Sequence, residues 1–418
     1  MEKKNRTEAT SQPEVDFDHR SREYMENWRD IYDSMRKACP VAHSNAHSGY
    51  WVPTRYDDLV KVGLDDDLYS SFNDVENNHA GGGGINIPPL EVHGGIIEED
   101  PPTSTEQRKL IASFFTPSKV KELSPWFHEI TTRAIDAFIE RGECDFVTDL
   151  ATVVPLQFTF KLVGMEVKDL ELYRNAYHKQ TYVPSDSPEA AEMVEAFNTI
   201  HGEIVEAIAD RRRSPREKDF VTTLCQATMF GEPLDEKTIC GIVHVTLAGG
   251  IDTTANFLSG TLVLLQERPD LRQWLIDNPA LVPLATEEFL RYLTPAQAVA
   301  RTVTTDHMLG ECQLHAGDRM LVPWAAGNFD PAKFENPREL RLDRSPNPHL
   351  AFGVGSHRCI GMNFARAEFQ TMLSEVLRRM PDYQIDLDRV RRYPNIGQVN
   401  GVISAPATFT PGPRLGAT

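Results

Sequence analysis

The residue best suited to chemistry is a cysteine near the C-terminal end, in the segment FGVGSHRCIG at residues 352–361. Two glycines precede Cys359, and another follows it by two positions. Apolar residues then recur at helical spacing from Phe364 to Met380, and Pro381 ends that pattern. The cysteine is therefore predicted at the start of a helix, where free backbone N–H groups stabilise a thiolate. Thiolate is the form of cysteine that binds iron.

A second candidate lies in the longest apolar stretch of the chain, where the segment AGGIDTT spans residues 248–254. Asp235 is a suitable N-cap for a helix that continues to about Arg268. Two glycines in mid-helix cost about 1 kcal/mol each relative to alanine, so we expect a kink or groove there. The acid and hydroxyl that follow, Asp252 and Thr253, would form a short proton path. The alternative is a glycine pair for helix packing with a capping threonine.

A third feature is a charge pair on a helix predicted from about residue 283 to residue 293. Glu288 and Arg291 are three positions apart, so they share one helix face and can pair. This spacing is common, and it describes an ordinary surface ion pair equally well.

Together these segments resemble the cytochrome P450 family, in particular its soluble bacterial members. They follow one another in the family's order, and the resemblance extends from about residue 39 to the C-terminal end. The cysteine loop resembles the family's haem-binding signature at Phe352, Gly353, Gly355, Cys359 and Gly361. An inert cysteine in a glycine-rich turn is the alternative, and the combination of loop, helix and spacing disfavours it.

The resemblance implies a role for each matching residue. Cys359 would be the axial ligand of the iron of haem b (iron protoporphyrin IX), and Phe352 would pack beside it and tune the iron. Thr253 would hydrogen-bond dioxygen, and Asp252 would feed protons to it from solvent. A thiolate ligand favours cleavage of the O–O bond. Glycines close to the cysteine would let the flat macrocycle approach the backbone.

The resemblance also implies roles for charged residues around the haem. A buried triad would support the haem-side scaffold without taking part in chemistry, and its members would be Glu288, Arg291 and Arg344. The haem carboxylates need cations, and Arg108, Arg301 and His357 stand where the family binds them. The chain departs from the family at two positions: Ser104 replaces the commonest histidine, and Glu106 replaces a frequent second arginine.

The implied fold class is mainly α with a minor β component: the cytochrome P450 fold, a triangular helical prism enclosing haem. The residue pattern agrees, since helical spacing dominates and strand-like pieces lie near both ends. We expect a flexible N-terminal tail at residues 1–20 and a single catalytic domain at residues 21–418. The sequence has no internal repeat and no obvious linker.

Composition narrows the class of protein. The net charge of -18, from 61 acidic and 43 basic residues, disfavours binding to nucleic acid and to anionic membranes. Six cysteines without a C-x-x-C pair indicate neither a clustered metal site nor a disulfide-stapled secreted fold. The polar N-terminal segment predicts no signal peptide and no membrane anchor. We therefore expect reduced thiols and a cytoplasmic location.

By analogy with the family, the substrate pocket lies on the side of the haem away from Cys359. The residues predicted to line it are Val245, Ala248, Gln297, Ala298 and Val402. The glycine-rich segment 77–91 and the helices at about 171–205 would form a lid. Most of the lining residues are small or apolar, so a mainly hydrophobic molecule is the expected substrate.

Electrons must come from outside the chain, because the sequence contains no flavin or iron–sulfur motif. The resemblance implies a ferredoxin with its NAD(P)H-dependent ferredoxin reductase. We predict a basic docking patch on the cysteine side, composed of Lys109, Arg358, Arg366, Arg378 and Arg379. The alternative for these residues is scattered, solvated charge.

Three functions from different classes fit this pattern. The first, which the acid–alcohol pair favours, is a ferredoxin-driven monooxygenase that hydroxylates its substrate with dioxygen. The second is a peroxide-driven haem oxidase, which would not need Asp252 and Thr253. The third is a non-catalytic protein that carries haem or a lipophilic molecule.

Overall fold

The computed structural model describes residues 14–74, 83–89, 94–183 and 187–416. Helices dominate the described segments, as predicted, and the strands are short. The helices are α1 (Arg22–Ala38), α2 (Tyr56–Leu64), α3 (Thr103–Ile111), α4 (Pro117–Asp136), α5 (Val153–Val163), α6 (Leu170–Lys179), α7 (Pro188–Arg213), α8 (Phe220–Gln226), α9 (Glu236–Glu267), α10 (Pro269–Asp277), α11 (Val282–Leu293), α12 (Trp324–Asn328) and α13 (Met362–Arg379). The strands are β1 (Glu14–Val15), β2 (Val41–Ser44), β3 (Tyr50–Pro53), β4 (Tyr69–Ser70), β5 (Glu143–Asp145), β6 (Thr228–Met229), β7 (Glu232–Pro233), β8 (Val299–Val303), β9 (His307–Leu309), β10 (Cys312–Leu314), β11 (Arg319–Val322), β12 (Gln384–Ile385), β13 (Arg391–Arg392), β14 (Val402–Ser404) and β15 (Pro406–Thr408).

The N-terminal segment differs from its prediction. The first 13 residues of the predicted tail lie outside the described segments, and so does most of the glycine-rich segment 77–91. Residues 14–20 belong to the fold: β1 pairs in parallel with β2, and Phe17 and His19 are buried. The predicted boundary at residue 20 is therefore wrong, because the aromatic ring of Phe17 packs in a hydrophobic cluster.

The long helix α9 is the element around which the larger hydrophobic cluster forms. Its 32 residues make it about 48 Å long. It starts where predicted, since the Asp235 carboxylate accepts a hydrogen bond from the Thr238 amide at 2.6 Å. Helices α5 and α13 pack along it, and Phe257 stacks on Phe369 of α13 with ring centres 3.9 Å apart. Among the described segments, neither α9 nor any other helix combines the length and hydropathy required to span a membrane.

The main sheet has six strands in the order β1-β2-β3-β11-β8-β4. It forms the second hydrophobic cluster together with α1. Strand β8 pairs antiparallel with β11, which places Arg301 opposite Met320. The sheet thus holds Arg301 on a short strand soon after α11, the helix that carries Glu288 and Arg291.

A buried acid on α13 predicts an unusual dependence of stability on pH. Glu368 is 3% exposed, and its Oε2 atom has no hydrogen-bond partner in the described part of the chain. Burial raises the pKa of this carboxyl well above its ordinary value. The folded protein then keeps a proton that the unfolded chain releases. The free energy of unfolding therefore falls as pH rises between the two pKa values, by about 1.4 kcal/mol per pH unit.

We expect the Glu368→Gln variant to lose this dependence and to be more stable than the wild type above about pH 7. Denaturant titrations of both proteins from mildly acidic to mildly alkaline pH measure the difference. Parallel stability profiles would contradict the assignment.

Candidate active site

The loop that carries Cys359 is fixed by its own backbone and by α2. The Cys359 amide donates a hydrogen bond to the Phe352 carbonyl at 2.9 Å. Gly353 and Gly355 have φ angles of +65° and +75°, a region that favours glycine. A Cβ on Gly355 would lie 2.0 Å from the carbonyl oxygen of Gly63. Close packing against the backbone of α2 therefore explains why a glycine stands at position 355. The predicted reason was the close approach of a macrocycle.

Cys359 lies two residues before Gly361, the N-cap of α13, and the residue has exposed surface although surrounding protein atoms enclose the region of its thiol. The dense protein around it raises the pKa of the thiol, although a hydrogen bond from the Gly361 amide lowers it. The charges of Arg108, Arg366 and Arg358 also lower the pKa, and the net shift is upward. The sequence predicts that the helix end stabilises a thiolate, but the net upward shift of the pKa means that the helix end alone does not produce one. A bound metal cation would complete the deprotonation.

A cluster that sequence reasoning missed packs against this loop. Arg366 forms a bidentate pair with Glu287, with both N–O distances 2.7 Å. The guanidinium of Arg366 lies 4.6 Å from the ring centre of Phe352. Although burial opposes it, hydrogen bonds from Arg366 and His349 lower the pKa of Glu287 to about 2. The available sequence signal was the double acid Glu287-Glu288, whose members point to different helix faces.

Three basic residues meet beside the cysteine loop. Burial and the nearby charges of Arg301 and Arg108 lower the pKa of His357 to about 3. Arg301 is 6% exposed, and its Nη1 donates to the Ala300 carbonyl at 2.8 Å. No carboxylate of the described segments lies within ion-pair distance of Arg301 or Arg108, and Arg108 donates to the Arg358 carbonyl at 2.7 Å. The carboxylates of Asp100 and Asp66 act on Arg301 only from beyond ion-pair distance, so the cluster can still receive a ligand that carries carboxylates.

The two positions that depart from the family pattern add no cation to this cluster. Ser104 is fully buried, and its hydroxyl has no partner in the described part of the chain. Glu106 accepts a hydrogen bond from Lys109 at 2.6 Å. A neutral, unpartnered hydroxyl therefore stands where the family most often has an imidazole.

The glycine pair of α9 has two different effects. A Cβ on Gly250 would lie 2.6 Å from the hydroxyl of Thr159, so Gly250 allows α5 to pack closely. A Cβ on Gly249 would meet nothing within 4 Å. The Thr253 hydroxyl donates to the Gly249 carbonyl at 2.9 Å, which leaves the hydroxyl oxygen able to accept a hydrogen bond. The predicted groove therefore lies at Gly249, and Thr253 borders it.

The carboxylate of Asp252 is surrounded by three donors that sequence reasoning missed. Nδ1 of His178 and the hydroxyl of Tyr393 each lie 2.8 Å from its Oδ1. The hydroxyl of Thr181 donates to its Oδ2 at 2.8 Å. Asp252 is 3% exposed, so these contacts replace water around its charge. The donors lie 71 to 141 residues away along the chain, and no local pattern indicates them.

The structure brings the predicted triad together. Nε and Nη2 of Arg291 lie 2.8 and 2.7 Å from the two carboxylate oxygens of Glu288. Nε of Arg344 lies 3.1 and 3.0 Å from the same oxygens. The side chains of Glu288 and Arg291 are fully buried, and that of Arg344 is 4% exposed. The surface ion-pair alternative is therefore wrong.

Comparison with known proteins agrees with this geometry. The family model described as Cytochrome P450 matches residues 89–280 and 275–396. The chain is 32% identical over 411 residues to the steroid C26-monooxygenase of Mycobacterium tuberculosis (strain ATCC 25618 / H37Rv), covering 97% of this chain and 100% of that protein. The chain belongs to the cytochrome P450 family.

Two further proteins resemble this cytochrome P450 along most of its length. The methyl-branched lipid omega-hydroxylase of Mycobacterium bovis is 28% identical, over 87% of this chain and 85% of that protein. The structure of Mycobacterium marinum cytochrome P450 CYP268A2 in complex with pseudoionone has a TM-score of 0.85 and 26% identity, covering 96% of this chain and 100% of that one. This cytochrome P450 is an oxidoreductase of the monooxygenase class, and its cofactor is haem iron.

Two of the five predicted pocket residues of this cytochrome P450 retain accessible surface. Val245 and Ala248 are half-buried, and their spacing places them on one face of α9 with Gly249. Two surface grooves, of about 360 and 600 Å³, lie elsewhere, and neither is lined by Cys359 or Thr253.

The other three pocket predictions are wrong in this structure, because these residues expose almost no surface to any cavity. Gln297, Ala298 and Val402 are 0%, 2% and 1% exposed. The side-chain amide of Gln297 donates to the carbonyls of Leu293 and Thr294 at 3.0 and 2.7 Å. Ala298 packs in the cluster under the sheet, and Val402 packs in the cluster around α9.

The basic patch predicted for docking is also smaller than expected. The side chain of Arg379 is 5% exposed and pairs with Asp136 at 2.5 Å, so it is not a surface cation. Arg366 is half-buried and forms an ion pair with Glu287. Arg358 is exposed, and no ion pair to it occurs in the described segments. Arg358 is therefore the member of the patch that best fits the prediction.

Proposed function

We propose that this cytochrome P450 holds haem b through Cys359 and inserts one oxygen atom from dioxygen into a hydrophobic small molecule. One observation carries the proposal: the thiol just before the N-terminal end of α13 lies near Arg108, Arg301 and His357, and no carboxylate of the described segments lies within ion-pair distance of these three residues. The thiol suits iron, and the basic residues suit the two haem carboxylates. Bound haem would supply the activation of dioxygen, which a thiolate ligand favours.

The neighbours of Cys359 would set the charge on its sulfur. The Gly361 amide donates to the sulfur, and Arg366 lies close enough to act on it electrostatically. Glu287 and the ring of Phe352 hold Arg366 in place. Hydrogen bonds and positive charge near a ligating sulfur tune the potential of the metal. Phe352 would therefore act on the iron partly by positioning Arg366.

We expect Arg301 to destabilise the haem-free protein and to strengthen the binding of haem. It is a buried cation without a carboxylate partner in the described segments, so Arg301→Met should stabilise the haem-free protein. The same variant should lose a charged hydrogen bond to the haem, worth about 1.5–3 kcal/mol. We therefore expect faster transfer of haem to apomyoglobin and a higher unfolding midpoint of the haem-free chain.

Arg378→Met is the matched control, because Arg378 is exposed and pairs with Glu375. It should change neither haem transfer nor the midpoint of the haem-free chain. Equal haem retention by the wild type and Arg301→Met would remove Arg301 from the haem site.

Thr253 and Asp252 would deliver protons to dioxygen on the side of the haem opposite Cys359. The Thr253 hydroxyl donates a hydrogen bond to the Gly249 carbonyl at 2.9 Å, and rotation about its Cβ–Oγ bond would point the same hydrogen at dioxygen. Asp252 directly precedes Thr253 on the helix, and three hydrogen-bond donors hold its carboxylate in place. We assign Thr253 to the hydrogen bond with dioxygen and Asp252 to proton supply.

The substrate is inferred to be a steroid or a methyl-branched lipid, hydroxylated on an aliphatic carbon. The accessible face of α9 presents Val245, Ala248 and Gly249, which are small and apolar. Such a face suits hydrocarbon and offers no hydrogen bond to a polar group. The names of the two curated relatives, a steroid C26-monooxygenase and a methyl-branched lipid omega-hydroxylase, agree with this class.

A spin-state titration of the purified ferric protein tests the substrate class. The panel contains testosterone, a methyl-branched fatty acid, an aromatic acid and a macrolide. A saturable shift from low to high spin with the steroid or the branched acid supports the inference, because it shows displacement of water by a bound molecule. A shift only with the aromatic acid or the macrolide, or no shift at all, contradicts it.

Electrons would come from NAD(P)H through a ferredoxin reductase and a ferredoxin. The sequence contains no flavin or iron–sulfur motif, so the donor is a separate protein. Ferredoxins are acidic, and Arg358 offers an exposed positive charge next to Cys359. Electrostatic attraction of this kind steers association and weakens with salt. The cytoplasm, where NAD(P)H is available, is the proposed location.

A further inference from the structure

One buried histidine has no role in the function proposed so far. His178 lies in the last turn of α6 and is 7% exposed. Its Nδ1 atom lies 2.8 Å from Asp252 Oδ1. Its Nε2 atom is buried and has no hydrogen-bond partner among the described residues. An unpartnered buried nitrogen costs free energy, so its presence calls for an explanation.

The hydrogen bond to Asp252 fixes the tautomer of this ring. A carboxylate only accepts hydrogen bonds, so Nδ1 of His178 carries the hydrogen. In the neutral ring the other nitrogen, Nε2, then has a free lone pair and accepts a proton. The ring is therefore oriented to take a proton at one atom and to release a proton at the other.

The other two donors to Asp252 do not share this property. The hydroxyl of Thr181 does not ionise in water. Burial and the charge of Asp252 keep the pKa of Tyr393 well above its ordinary value. Imidazole is the side chain that exchanges protons most readily near neutral pH. Of the groups around Asp252, His178 is thus the one suited to renew its proton.

We propose that His178 relays protons to Asp252, an inference that rests on the proposed monooxygenase function. When water reaches the buried Nε2 atom, a hydronium ion gives it a proton and becomes water, and the proton on Nδ1 moves to Oδ1 of Asp252. The ring is then neutral with its hydrogen on Nε2, and it returns to the first tautomer by losing that proton to water and gaining another at Nδ1. His178 acts only through Asp252, so it is a positioning and relay residue.

The neighbours of His178 leave Asp252 as the carboxylate to which its Nδ1 proton can move. The ring of Tyr182 lies 5.6 Å from His178 and 4.6 Å from Tyr393. Burial and the charge of Asp252 raise the pKa of Tyr182, on which Arg391 and Glu189 also act. In the described segments, Asp252 is the carboxylate within ion-pair distance of His178. The relay also depends on α6, because His178 and Thr181 reach Asp252 only while the end of α6 lies on α9.

The variant that tests the relay is His178→Gln, and Thr181→Val is its matched control. Glutamine still donates a hydrogen bond to Asp252 but passes no proton. Valine removes a donor to the same carboxylate and leaves His178 in place. Both are assayed for dioxygen consumption with NADPH and a plant-type ferredoxin and reductase. Hydrogen-peroxide-driven oxidation of guaiacol reports on the haem without this electron supply.

We expect His178→Gln to slow dioxygen consumption by about tenfold, which is less than the roughly 10²–10⁴-fold of a group that exchanges a proton directly with the reactant, because water partly replaces the ring. Its solvent isotope effect should rise above that of the wild type. Thr181→Val also removes a donor to Asp252, but it should slow dioxygen consumption less than His178→Gln and leave the solvent isotope effect unchanged, because the relay ring stays in place. Peroxide-driven oxidation should be unchanged in both variants. Equal losses in the two variants, or no loss in His178→Gln, would overturn the relay.

Nitrogen-15 NMR of labelled histidine in the diamagnetic, carbon-monoxide-bound ferrous protein provides a measurement without turnover. The signals missing from His178→Gln identify the ring, which should carry its hydrogen on Nδ1 at neutral pH. Hydrogen on Nε2 alone would overturn the relay whatever the turnover of the variant. A wild type that lacks the thiolate spectrum and oxidises nothing with peroxide would instead overturn the proposed function itself.

Discussion

Replacement of Glu288 with glutamine should destabilise the protein by about 3–5 kcal/mol, because it leaves buried arginines without a counter-charge. Arg291 and Arg344 are 0% and 4% exposed at their side chains. Neither guanidinium reaches water in the folded state, whereas both are hydrated in the unfolded chain. Denaturant unfolding of wild type and variant measures the difference in the free energy of unfolding.

The triad also joins α11 to the chain that leads into the cysteine loop. Arg291 donates to the carbonyls of Asn328 and Glu339 at 2.9 and 3.1 Å. Glu288 accepts from the Arg341 amide at 2.9 Å. Loss of the central charge should therefore loosen the segment that positions Cys359, and the purified variant should contain less haem.

Glu335→Gln is the matched control for this experiment. The Glu335 side chain is 83% exposed and lies 3.9 Å from Arg341, so its loss should change stability by less than about 0.5 kcal/mol. If Glu288→Gln were as stable as Glu335→Gln and kept its haem, the triad would not be the scaffold that we propose.

The second large effect is expected from Thr253→Ala. Without the hydroxyl, nothing at this position of α9 donates a hydrogen bond to dioxygen, and reduction should become uncoupled from substrate oxidation. Product formed per NAD(P)H should fall by about tenfold or more, toward the roughly 10²–10⁴-fold expected for full loss of a positioned proton-transfer group. Hydrogen peroxide release should rise accordingly. Peroxide-driven oxidation should survive, because added peroxide supplies both oxygen atoms and protons.

Thr246→Ala is the matched control on the same helix. The Thr246 hydroxyl donates to the Ile242 carbonyl at 2.7 Å, just as Thr253 donates to Gly249. The two variants therefore lose the same kind of helix hydrogen bond, and Thr246 lies seven residues, or about 10 Å along the helix axis, from Thr253. Unchanged coupling in Thr253→Ala would favour the peroxide-driven alternative, and equal uncoupling in both variants would indicate a general effect on α9.

Features with a local sequence pattern were predictable. The extent of α9 follows from the cap at Asp235 and the apolar run after it, and the cysteine lies just before α13 as its glycines indicated. The pairing of Glu288 with Arg291 follows from their spacing on one helix. The position of Arg344 came from the family resemblance, because no local rule joins residues so far apart.

Features that depend on packing between distant elements were not predictable. The contacts of Asp252 with His178 and Tyr393 arise only when α6 and the C-terminal segment pack on α9. The raised pKa of Cys359 reflects the density of the surrounding protein, which opposes the helix end. Gln297 and Ala298 were placed in the pocket from their position in the sequence, and side-chain hydrogen bonds and packing turn them into the core.

The absorption spectrum of the reduced protein with bound carbon monoxide, recorded for the wild type and for Cys359→His, shows directly whether Cys359 binds the iron. We expect the red-shifted Soret band of thiolate ligation in the wild type. In Cys359→His we expect either the band of histidine ligation or loss of haem. A histidine-type band in the freshly purified wild type, or a thiolate band that persists in Cys359→His, would contradict the assignment of Cys359 as the iron ligand.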